Sequence, residues 1–282
     1  MDIIIVSWNV RGALKECLQS IKKNAPAATV VVVDNASSDG TVEMLKREFP
    51  DVRCVFNIAN VGFARACNQG AKLCVGDLIL FLNPDAVLCP GSIETFESFF
   101  ALQPYVGIAG PKIINDDGTI QPSVRRFPVL RAYLWELLKL ERVLPSPFVR
   151  RNQYAAFRYD TLRSVDQVMG AALAIRRTLF EELRGFDERF FIWFEEVDLC
   201  YRAKALGWLI FFVPNARIIH QRAASFQQRS TVWRYLRFGQ SGATYFYVRH
   251  RYLSASLIAL VVVLYLPVIL IPGLFSGRRV VS

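Results

Sequence analysis

The chain has 282 residues, of which 53% are apolar and 13% aromatic, and this composition excludes a disordered protein because it can bury a large core. Its formal net charge of +10 is uneven: residues 1–198 carry 23 basic and 24 acidic side chains, whereas residues 199–282 carry 11 basic and no acidic ones. A basic block usually meets nucleic acid or anionic lipid, so its neighbouring residues must distinguish the two.

The first hundred residues alternate between strand and helix patterns. Apolar runs at 3–7, 29–34, 52–56 and 78–82 predict strands, and the helical spacing of apolar residues between them predicts helices. This order predicts a Rossmann-like, mostly parallel sheet flanked by helices. The first strand is not followed by G-x-G-x-x-G, and no G-x-x-x-x-G-K-[ST] loop occurs, which disfavours a dinucleotide enzyme and a P-loop nucleotidase.

Polar residues follow the ends of all four predicted strands. They are Ser7, Asn9, Asp34, Asn35, Asn57, Asn60, Asn83 and Asp85. Any one of them could be an ordinary turn or cap residue. Ligands of such sheets bind outside the carboxyl ends of the strands, however, so the four ends together predict the rim of an active site.

Two groups of acidic residues are candidates for the chemistry. Asp85 follows a buried strand, where it could bind a hard divalent cation or simply cap an Asx-type turn. Glu195, Glu196 and Asp198 lie among large hydrophobic residues, a setting that raises carboxyl pKa values and suits a general base. A charged solvent face is the alternative, and Asp198 could pair with Arg202 at i+4.

The histidines and cysteines restrict the possible chemistry. His220 follows an apolar run and could be a metal ligand or a core histidine, while His250 lies between two arginines. The six cysteines show no C-x-x-C spacing, which predicts neither a zinc site nor a disulfide framework. Residues 1–6 lack the basic and long apolar stretches of a secretory signal, so we expect the catalytic part on the cytoplasmic side.

The C-terminal region contains 26 consecutive uncharged residues, 252–277, flanked by basic residues on both sides. About 20 apolar residues span a bilayer core, so this run predicts a membrane-associated helical tail and a location at the cell membrane. Pro267 and Pro272 leave a full span and an interfacial helix both open. A buried helix of a soluble core is the less favoured alternative.

Several motifs, taken in order, resemble those of family 2 glycosyltransferases, and the chain is most similar to the rhamnosyltransferase-like branch of that family. They are Val6–Asn9, Val33–Thr41, Asn60–Phe63 with Asn68 and Gly70, Leu82–Asp85, Gln121–Pro128, Gly170-Ala171, and Gly185–Glu188 leading into Phe190–Arg202. The resemblance covers residues 3 to about 225. It implies a GT-A fold over residues 1–225, with a nucleotide-binding half of about 1–103 and an acceptor-binding half of about 104–225. Residues 226–282 would then form a basic, aromatic interfacial segment followed by the hydrophobic segment 252–277.

The resemblance also implies roles for individual residues. Asp34 would contact the nucleotide base, and Asp85 stands where the D-x-D motif of the family has its metal-binding aspartate, whereas Asn83 departs from that motif. Glu196 falls on the inverting base, and His220 on a histidine that completes the metal shell in some members. The implied nucleotide-sugar-binding residues are Ser7, Asn9, Asp34, Asn60, Gly62, Asn68, Asn83 and Asp85, and the implied acceptor-binding residues are Trp193, Glu195 and Asp198.

The resulting hypothesis is an inverting glycosyltransferase that depends on Mg²⁺ or Mn²⁺. It would transfer a sugar, with rhamnose as a candidate, from a dTDP- or UDP-linked donor to a hydroxyl of a lipid-linked or cell-surface polysaccharide acceptor. The alternative is a non-catalytic sugar-nucleotide-binding scaffold in a membrane polysaccharide assembly. A nucleic-acid partner is disfavoured by the long uncharged run and by the lack of a nucleic-acid-binding motif.

Overall fold

The computed structural model describes residues 1–142, 144, 149, 157–221 and 228–270. In its first part the predicted alternation of strands and helices is confirmed. The elements are β1 (Asp2–Ser7), α1 (Arg11–Asn24), β2 (Thr29–Asp34), α2 (Thr41–Glu48), β3 (Arg53–Phe56), α3 (Phe63–Ala71) and β4 (Leu78–Leu82). The strands pair in the order β3-β2-β1-β4 and are all parallel. They are parallel because each helix returns the chain to the end of the sheet at which the strands begin.

The second part of the chain extends the same sheet through pairs of strands that are far apart in the sequence. Its elements are β5 (Ala86–Leu88), α4 (Ser92–Leu102), β6 (Val106–Ile114), β7 (Ile120–Gln121), β8 (Val124–Arg125), α5 (Leu130–Leu137), a 3₁₀ turn (Leu140–Arg142), β9 (Arg163–Ser164), β10 (Gln167–Val168), β11 (Ala172–Arg176), α6 (Arg177–Glu182), α7 (Glu195–Ala205) and β12 (Leu209–His220). From β4 the sheet continues as β11-β6-β12-β5, with β11 antiparallel to both of its neighbours. The long strand β12 runs parallel to β6 and carries His220 to the end of β5.

The sheet is buried on both faces. Along β1, Ile3 and Ile5 belong to one hydrophobic core, and Ile4 and Val6 belong to the other. Successive side chains of a strand point to opposite faces, so a continuous apolar strand is what a sheet covered on both sides requires. Only the ends of the strands are left to bind a ligand.

The last two described helices, α8 (Thr231–Tyr247) and α9 (Tyr252–Ile269), form a hairpin that packs on the catalytic fold. We call the core that they share with it the third core; its buried members are Tyr133, Leu137, Phe190, Phe194, Val197, Tyr235, Tyr245, Phe246, Ala255, Ile258 and Ile269. The Tyr265 hydroxyl donates to the carbonyl of Leu138 over 3.0 Å, which also ties α9 to the end of α5. Residue 225, the predicted boundary, lies outside the described residues, and the division there stays a prediction.

Among the described residues, α9 is the one helix that is long and apolar enough to cross a membrane. It continues through Pro267, and most of its surface is exposed. Its inner face contributes Ala255 and Ile258 to the third core, whereas Leu253, Leu257, Leu260 and Leu264 form an exposed stripe on its outer face. Residues 271–277 of the predicted segment, and its downstream basic flank, lie outside the described residues.

Candidate active site

The end of the sheet where β1 and β2 stop carries buried polar atoms without partners. Ser7 and Asp34 are register partners in the two strands, and both side chains are buried. Asp34 Oδ2 accepts a hydrogen bond from the Ser37 amide over 2.9 Å. The Ser7 hydroxyl and Asp34 Oδ1 have no hydrogen-bond partner in the described part of the chain. A buried polar group without a hydrogen bond costs free energy. These two groups are therefore available to form hydrogen bonds with a bound ligand.

The predicted donor residues Asn9 and Asn60 shape the loops beside this edge. Asn9 Oδ1 accepts from the Ser38 amide over 2.7 Å, and Asn60 Oδ1 accepts from the Gly62 amide over 3.0 Å. Gly62 has a φ of 90°, and a Cβ built there would come within 2.7 Å of the carbonyl oxygen of Phe191. Glycine is therefore required at this position, because the loop approaches the segment before α7 closely.

Asn68 binds the backbone of Phe186 through its side-chain amide. Its Nδ2 donates to the carbonyl of Phe186, and its Oδ1 accepts from the amide of Phe186, both over 2.9 Å. These two hydrogen bonds join the side-chain amide to a backbone segment that is more than a hundred residues later in the chain. Asn68 thus joins α3 to the turn before α7, and its expected role in binding the nucleotide sugar stays a prediction.

Asp85 and His220 meet at the end of β4. His220 pairs with Ala86 in the sheet, and its Nε2 lies 3.2 Å from Asp85 Oδ1; both side chains are buried. His220 Nδ1 lies 3.1 Å from Gln121 Oε1, and Asn83 Nδ2 lies 3.3 Å from His220 Nε2. Gln121 Oε1 can only accept, so the proton of a neutral ring belongs on Nδ1 and the Nε2 lone pair points toward the carboxylate.

This pair fits a divalent metal ion. A carboxylate oxygen and an imidazole nitrogen converge, and the imidazole uses its other nitrogen to hold an oxygen acceptor, as metal-binding histidines do. No group of three or more His, Cys, Asp or Glu side chains that could hold a metal occurs in the described residues. The two residues would therefore hold an ion whose remaining ligands are substrate oxygens and water, which is the usual situation for Mg²⁺.

Glu195 and Glu196 begin helix α7, directly after two residues with strained backbones. Trp193 and Phe194 have φ values of 64° and 72°, a conformation that large side chains rarely adopt. Helix α8 supports this segment, because the Ser241 hydroxyl donates to the carbonyl of Ile192 over 2.7 Å. Strain of this kind occurs where the surrounding structure fixes a functional geometry.

The two glutamates differ in their surroundings. Glu195 is buried with 5% exposure, whereas Glu196 is half-buried and lies against Gly170, where a built Cβ would be 3.5 Å from its side chain. The adjacent carbonyl of Ala171 accepts from the amide of Asn83 over 2.9 Å, so Glu196 lies beside the end of β4 that carries Asp85. Of the two glutamates, Glu196 is thus the one that lies toward the strand end of Asp85 and His220, whereas Glu195 is buried in the protein.

Burial raises the pKa of both glutamates. Desolvation raises the pKa of Glu195 well above its ordinary value, and the neighbouring Glu196 charge raises it further. Desolvation also raises the pKa of Glu196, against which the positive charge of Arg125 acts. A carboxylate with a raised pKa is a stronger base than an exposed one. Glu196 is the less buried of the two, and Oε2 of each glutamate is a buried oxygen without a hydrogen-bond partner in the described residues.

Asp198 is engaged by two arginines rather than open to an acceptor. Its side chain is buried; Arg202 Nε lies 2.6 Å from Oδ2, and Arg249 Nη2 lies 3.2 Å from Oδ1. The predicted pairing with Arg202 is confirmed. The expected contact of Asp198 with an acceptor does not fit these contacts, because both carboxylate oxygens already face a cation.

Sequence reasoning missed Gln121 and Ser241. Gln121 orients His220, and Ser241 holds the backbone before α7. The resemblance included residue 121 only as part of an extended motif, and no local pattern distinguishes Ser241 from other serines of a basic, aromatic helix. Trp193, expected at the acceptor side, is half-buried beside Trp233 of α8, with 6.5 Å between ring centroids.

Comparison with known proteins identifies the family of this chain. The family model described as Glycosyl transferase family 2 matches residues 2–183. The N-acetylglucosaminyl-diphospho-decaprenol L-rhamnosyltransferase of Mycobacterium tuberculosis is 31% identical over 243 residues, which cover 80% of this chain and 77% of that protein. The rhamnosyltransferase WbbL of Escherichia coli is 26% identical over 228 residues, covering 77% of this chain and 82% of its own length.

Among solved structures, the mannosyltransferase PcManGT from Pyrobaculum calidifontis, determined with GDP-Man and Mn²⁺, is similar with a TM-score of 0.60. It is 18% identical, and the similarity covers 95% of this chain and 72% of that chain. The likeness shows that the fold is a GT-A-like α/β fold with flanking helices, as the motifs predicted.

Proposed function

This chain belongs to glycosyltransferase family 2 and is a glycosyltransferase similar to rhamnosyltransferases, and we propose that it transfers a sugar with inversion from a nucleoside-diphosphate donor to a lipid-linked or cell-surface polysaccharide acceptor. Rhamnose on a dTDP or UDP carrier is the first candidate for the donor. The observation that carries the proposal is the convergence of Asp85 and His220, 3.2 Å apart, at the strand end beside which Glu196 lies.

Binding of the donor is supported by the two neighbouring strand ends. The unpartnered Ser7 hydroxyl and Asp34 Oδ1 would receive the nucleoside, with Asn60 and Gly62 shaping the adjoining loop. Asp85 and His220 would hold Mg²⁺ or Mn²⁺, with Asn83 beside them. The metal would neutralise negative charge on the diphosphate.

Glu196 would supply the general base. Its carboxylate would accept the proton of an acceptor hydroxyl as that oxygen attacks the anomeric carbon, while the nucleoside diphosphate departs from the opposite face. Back-side attack inverts the configuration. The buried Glu195 would keep the start of α7 in place, and Trp193 would present an aromatic surface for a sugar ring of the acceptor.

Membrane attachment is supported by the outer stripe of α9. Four leucines on one helix face, in a helix with no charge, form a surface that water does not favour but a bilayer does. The last 84 residues have only basic charges, which suits the anionic surface of a membrane. We therefore propose that residues 226–282 hold the catalytic domain on the cytoplasmic face of the cell membrane.

The function is tested with the full chain in detergent. A panel of dTDP- and UDP-sugars is offered with an N-acetylglucosaminyl diphospholipid acceptor, with and without EDTA, and the anomeric configuration of the product is read by NMR. We expect chelator-sensitive transfer with inversion. Transfer that is unaffected by EDTA would remove the metal role, and turnover of none of the nucleotide sugars by a folded protein would contradict the proposal as a whole.

Membrane attachment is tested by flotation of the full chain with anionic vesicles. A variant with Leu257, Leu260 and Leu264 changed to Ser should stay in the soluble fraction. The matched control changes Ile58, Leu102 and Tyr105 to Ser, since these side chains are at least as exposed but lie outside helices α8 and α9. Equal flotation of both variants would exclude the outer stripe as the membrane contact.

A further inference from the structure

Helix α8 and the segment just before it carry two arginines on either side of one tryptophan. The Arg229 guanidinium carbon lies 4.0 Å from the Trp8 ring centroid and 5.0 Å from that of Trp233. The Arg237 guanidinium carbon lies 5.7 Å from the Trp233 centroid and 4.5 Å from that of Phe191. We call Arg229, Trp233 and Arg237 the ladder. Aromatic faces hold both guanidinium groups in place and leave their N–H edges available.

The ladder has no balancing negative charge. No carboxylate of the described residues lies within ion-pair distance of Arg229 or Arg237, and the chain has no acidic residue after Asp198. Arg237 donates one hydrogen bond, to Gln240 Oε1 over 2.8 Å, and Arg229 donates none within the described part of the chain. Two half-buried cations around a single ring repel each other, so an anion bound between them would be stabilised.

The ladder lies between the end of the sheet where β1 and β2 stop and the segment before α7. On one side, Trp8 follows β1, and Gln228 Nε2 donates to the carbonyl of Asn9 over 2.6 Å. On the other side, Phe191 accepts from the amide of Phe63 over 2.7 Å. The ladder is therefore attached to both halves of the site rather than to a remote surface.

Helix α8, which carries most of the ladder, also packs against α9, the helix with the exposed leucine stripe. Gly239 of α8 faces Val262 of α9, and it is two positions from Arg237. Helix positions two apart point in nearly opposite directions, so Arg237 points away from α9 and toward the site. A ligand on the ladder would lie between the reacting centre and the helix that carries the outer stripe.

From this position we infer that the ladder binds the diphosphate of a lipid-linked acceptor, an inference that rests on the proposed function. Two guanidinium groups match two phosphates, because each can bind one phosphate through paired N–H donors. The diphosphate of the donor has its own counter-charge at Asp85 and His220. The first half of α8, which carries the ladder, packs beside the later turns of α9 near Val262, so a lipid diphosphate bound there would lie close to this apolar helix.

The inference is tested by ligand binding, independently of turnover. The full chain in detergent is titrated with farnesyl diphosphate and, separately, with UDP and dTDP. Arg229→Gln and Arg237→Gln should each weaken binding of farnesyl diphosphate about tenfold, since each removes a charged hydrogen-bonding partner. Arg237→Lys keeps the charge but not the paired donors, and should give a smaller loss. Binding of UDP and dTDP should change less than about twofold in all three variants.

Arg234→Gln is the matched control, because it removes one positive charge from the same helix outside the ladder. An equal loss of farnesyl diphosphate binding in Arg234→Gln would reduce the effect to general charge attraction and overturn the inference. Loss of UDP or dTDP binding in the ladder variants, with farnesyl diphosphate binding kept, would assign the ladder to the donor and overturn it as well. Failure of the proposed function is seen elsewhere, as absent sugar transfer by the unaltered chain.

Discussion

Arg249, in the elbow between α8 and α9, forms an ion pair with Asp198, one turn into the helix that begins with Glu195 and Glu196. The guanidinium lies between two aromatic rings, 4.1 Å from the Tyr201 centroid and 3.6 Å from that of Tyr245. The elbow of the hairpin is therefore joined electrostatically to the helix of the candidate base. Seating of the hairpin and the position of α7 are not independent.

Replacing Arg249 should destabilise this junction. Arg249→Met keeps most of the apolar packing against the tyrosines but leaves Asp198 with Arg202 alone. We expect a loss of about 1.5–3 kcal/mol in the free energy of unfolding, the range for a hydrogen bond to a charged group. Urea unfolding in detergent measures it. Arg251→Met is the control, because Arg251 is exposed and has no carboxylate partner in the described residues; equal losses in the two variants would contradict the role of the ion pair.

Substitution of each of the two glutamates by Gln should have a different effect on turnover. Glu196→Gln keeps the shape of the side chain but cannot accept a proton, so turnover at saturating substrates should fall about 10²–10⁴-fold while donor affinity is kept. Glu195→Gln should retain most turnover, because the amide keeps the shape of a buried side chain that takes no part in the proposed proton transfer. The reverse pattern, with near-normal turnover in Glu196→Gln, would assign the base to the other glutamate.

Glu195 should also change how the free energy of unfolding depends on pH. Its folded pKa is raised above the ordinary value of 4.5, so its contribution is fully present below that pH and is lost as the pH rises through the folded pKa. Glu195→Gln has no such loss. The unfolding free energy of the variant should therefore gain on that of the unaltered chain as the pH increases from 4 toward neutrality. Parallel curves from urea titrations at each pH would contradict the burial of an ionisable Glu195.

Metal binding should depend on Gln121 as well as on the two proposed ligands, Asp85 and His220. Asp85→Asn and His220→Gln should abolish detectable Mn²⁺ binding in the presence of UDP or dTDP. Gln121→Met removes the acceptor that orients the imidazole, and should weaken Mn²⁺ binding about 10–100-fold, with partial rescue in Gln121→Glu. Mn²⁺ titration followed by electron paramagnetic resonance measures both. Asp116→Asn, in an exposed turn, is the control, and a matching loss there would make the effect unspecific.

Two glycine substitutions should act in opposite directions. A Cβ at Gly242 of α8 would overlap the ring of Tyr133, whose hydroxyl donates to the carbonyl of Phe238 over 2.6 Å. Gly242→Ala should therefore cost about 1–3 kcal/mol by overpacking. Gly12 of α1 meets nothing within 4 Å, so Gly12→Ala should be neutral or stabilising by up to about 1 kcal/mol. Thermal unfolding compares them, and a stable Gly242→Ala would mean that α8 is not seated as described.

Local patterns were enough to predict the strands and helices of residues 1–82. Each of β1 to β4 is a short apolar run, and the helices between them repeat apolar residues at helical spacing, so no distant information is needed. Strand β12 was not predicted. Pro214 and Asn215 interrupt its apolar run, and its pairing with β6 shifts register between Val213 and Arg217. Its course is determined by partners about a hundred residues earlier.

The same limit explains the outcomes at the site. A motif can identify Asn68 as a polar residue of the family, but not that its amide serves the backbone of Phe186. The partner of Asp198 at i+4 follows from helix geometry, whereas Arg249, 51 residues later, does not. Proximity in the sequence predicts which side chains can share a helix face, and only the folded chain decides which of them remain open to a ligand.

The position of the third core in the chain has a consequence for biogenesis. The surfaces that receive α8 and α9 come from α5 and α7, which leave the ribosome first, and domains generally fold as they are synthesised. The most apolar helix therefore emerges last among the described elements, when its docking surface can already have formed. A circularly permuted chain that began with α9 would present the same helix before any partner existed, and aggregation during translation would be the expected cost of that order.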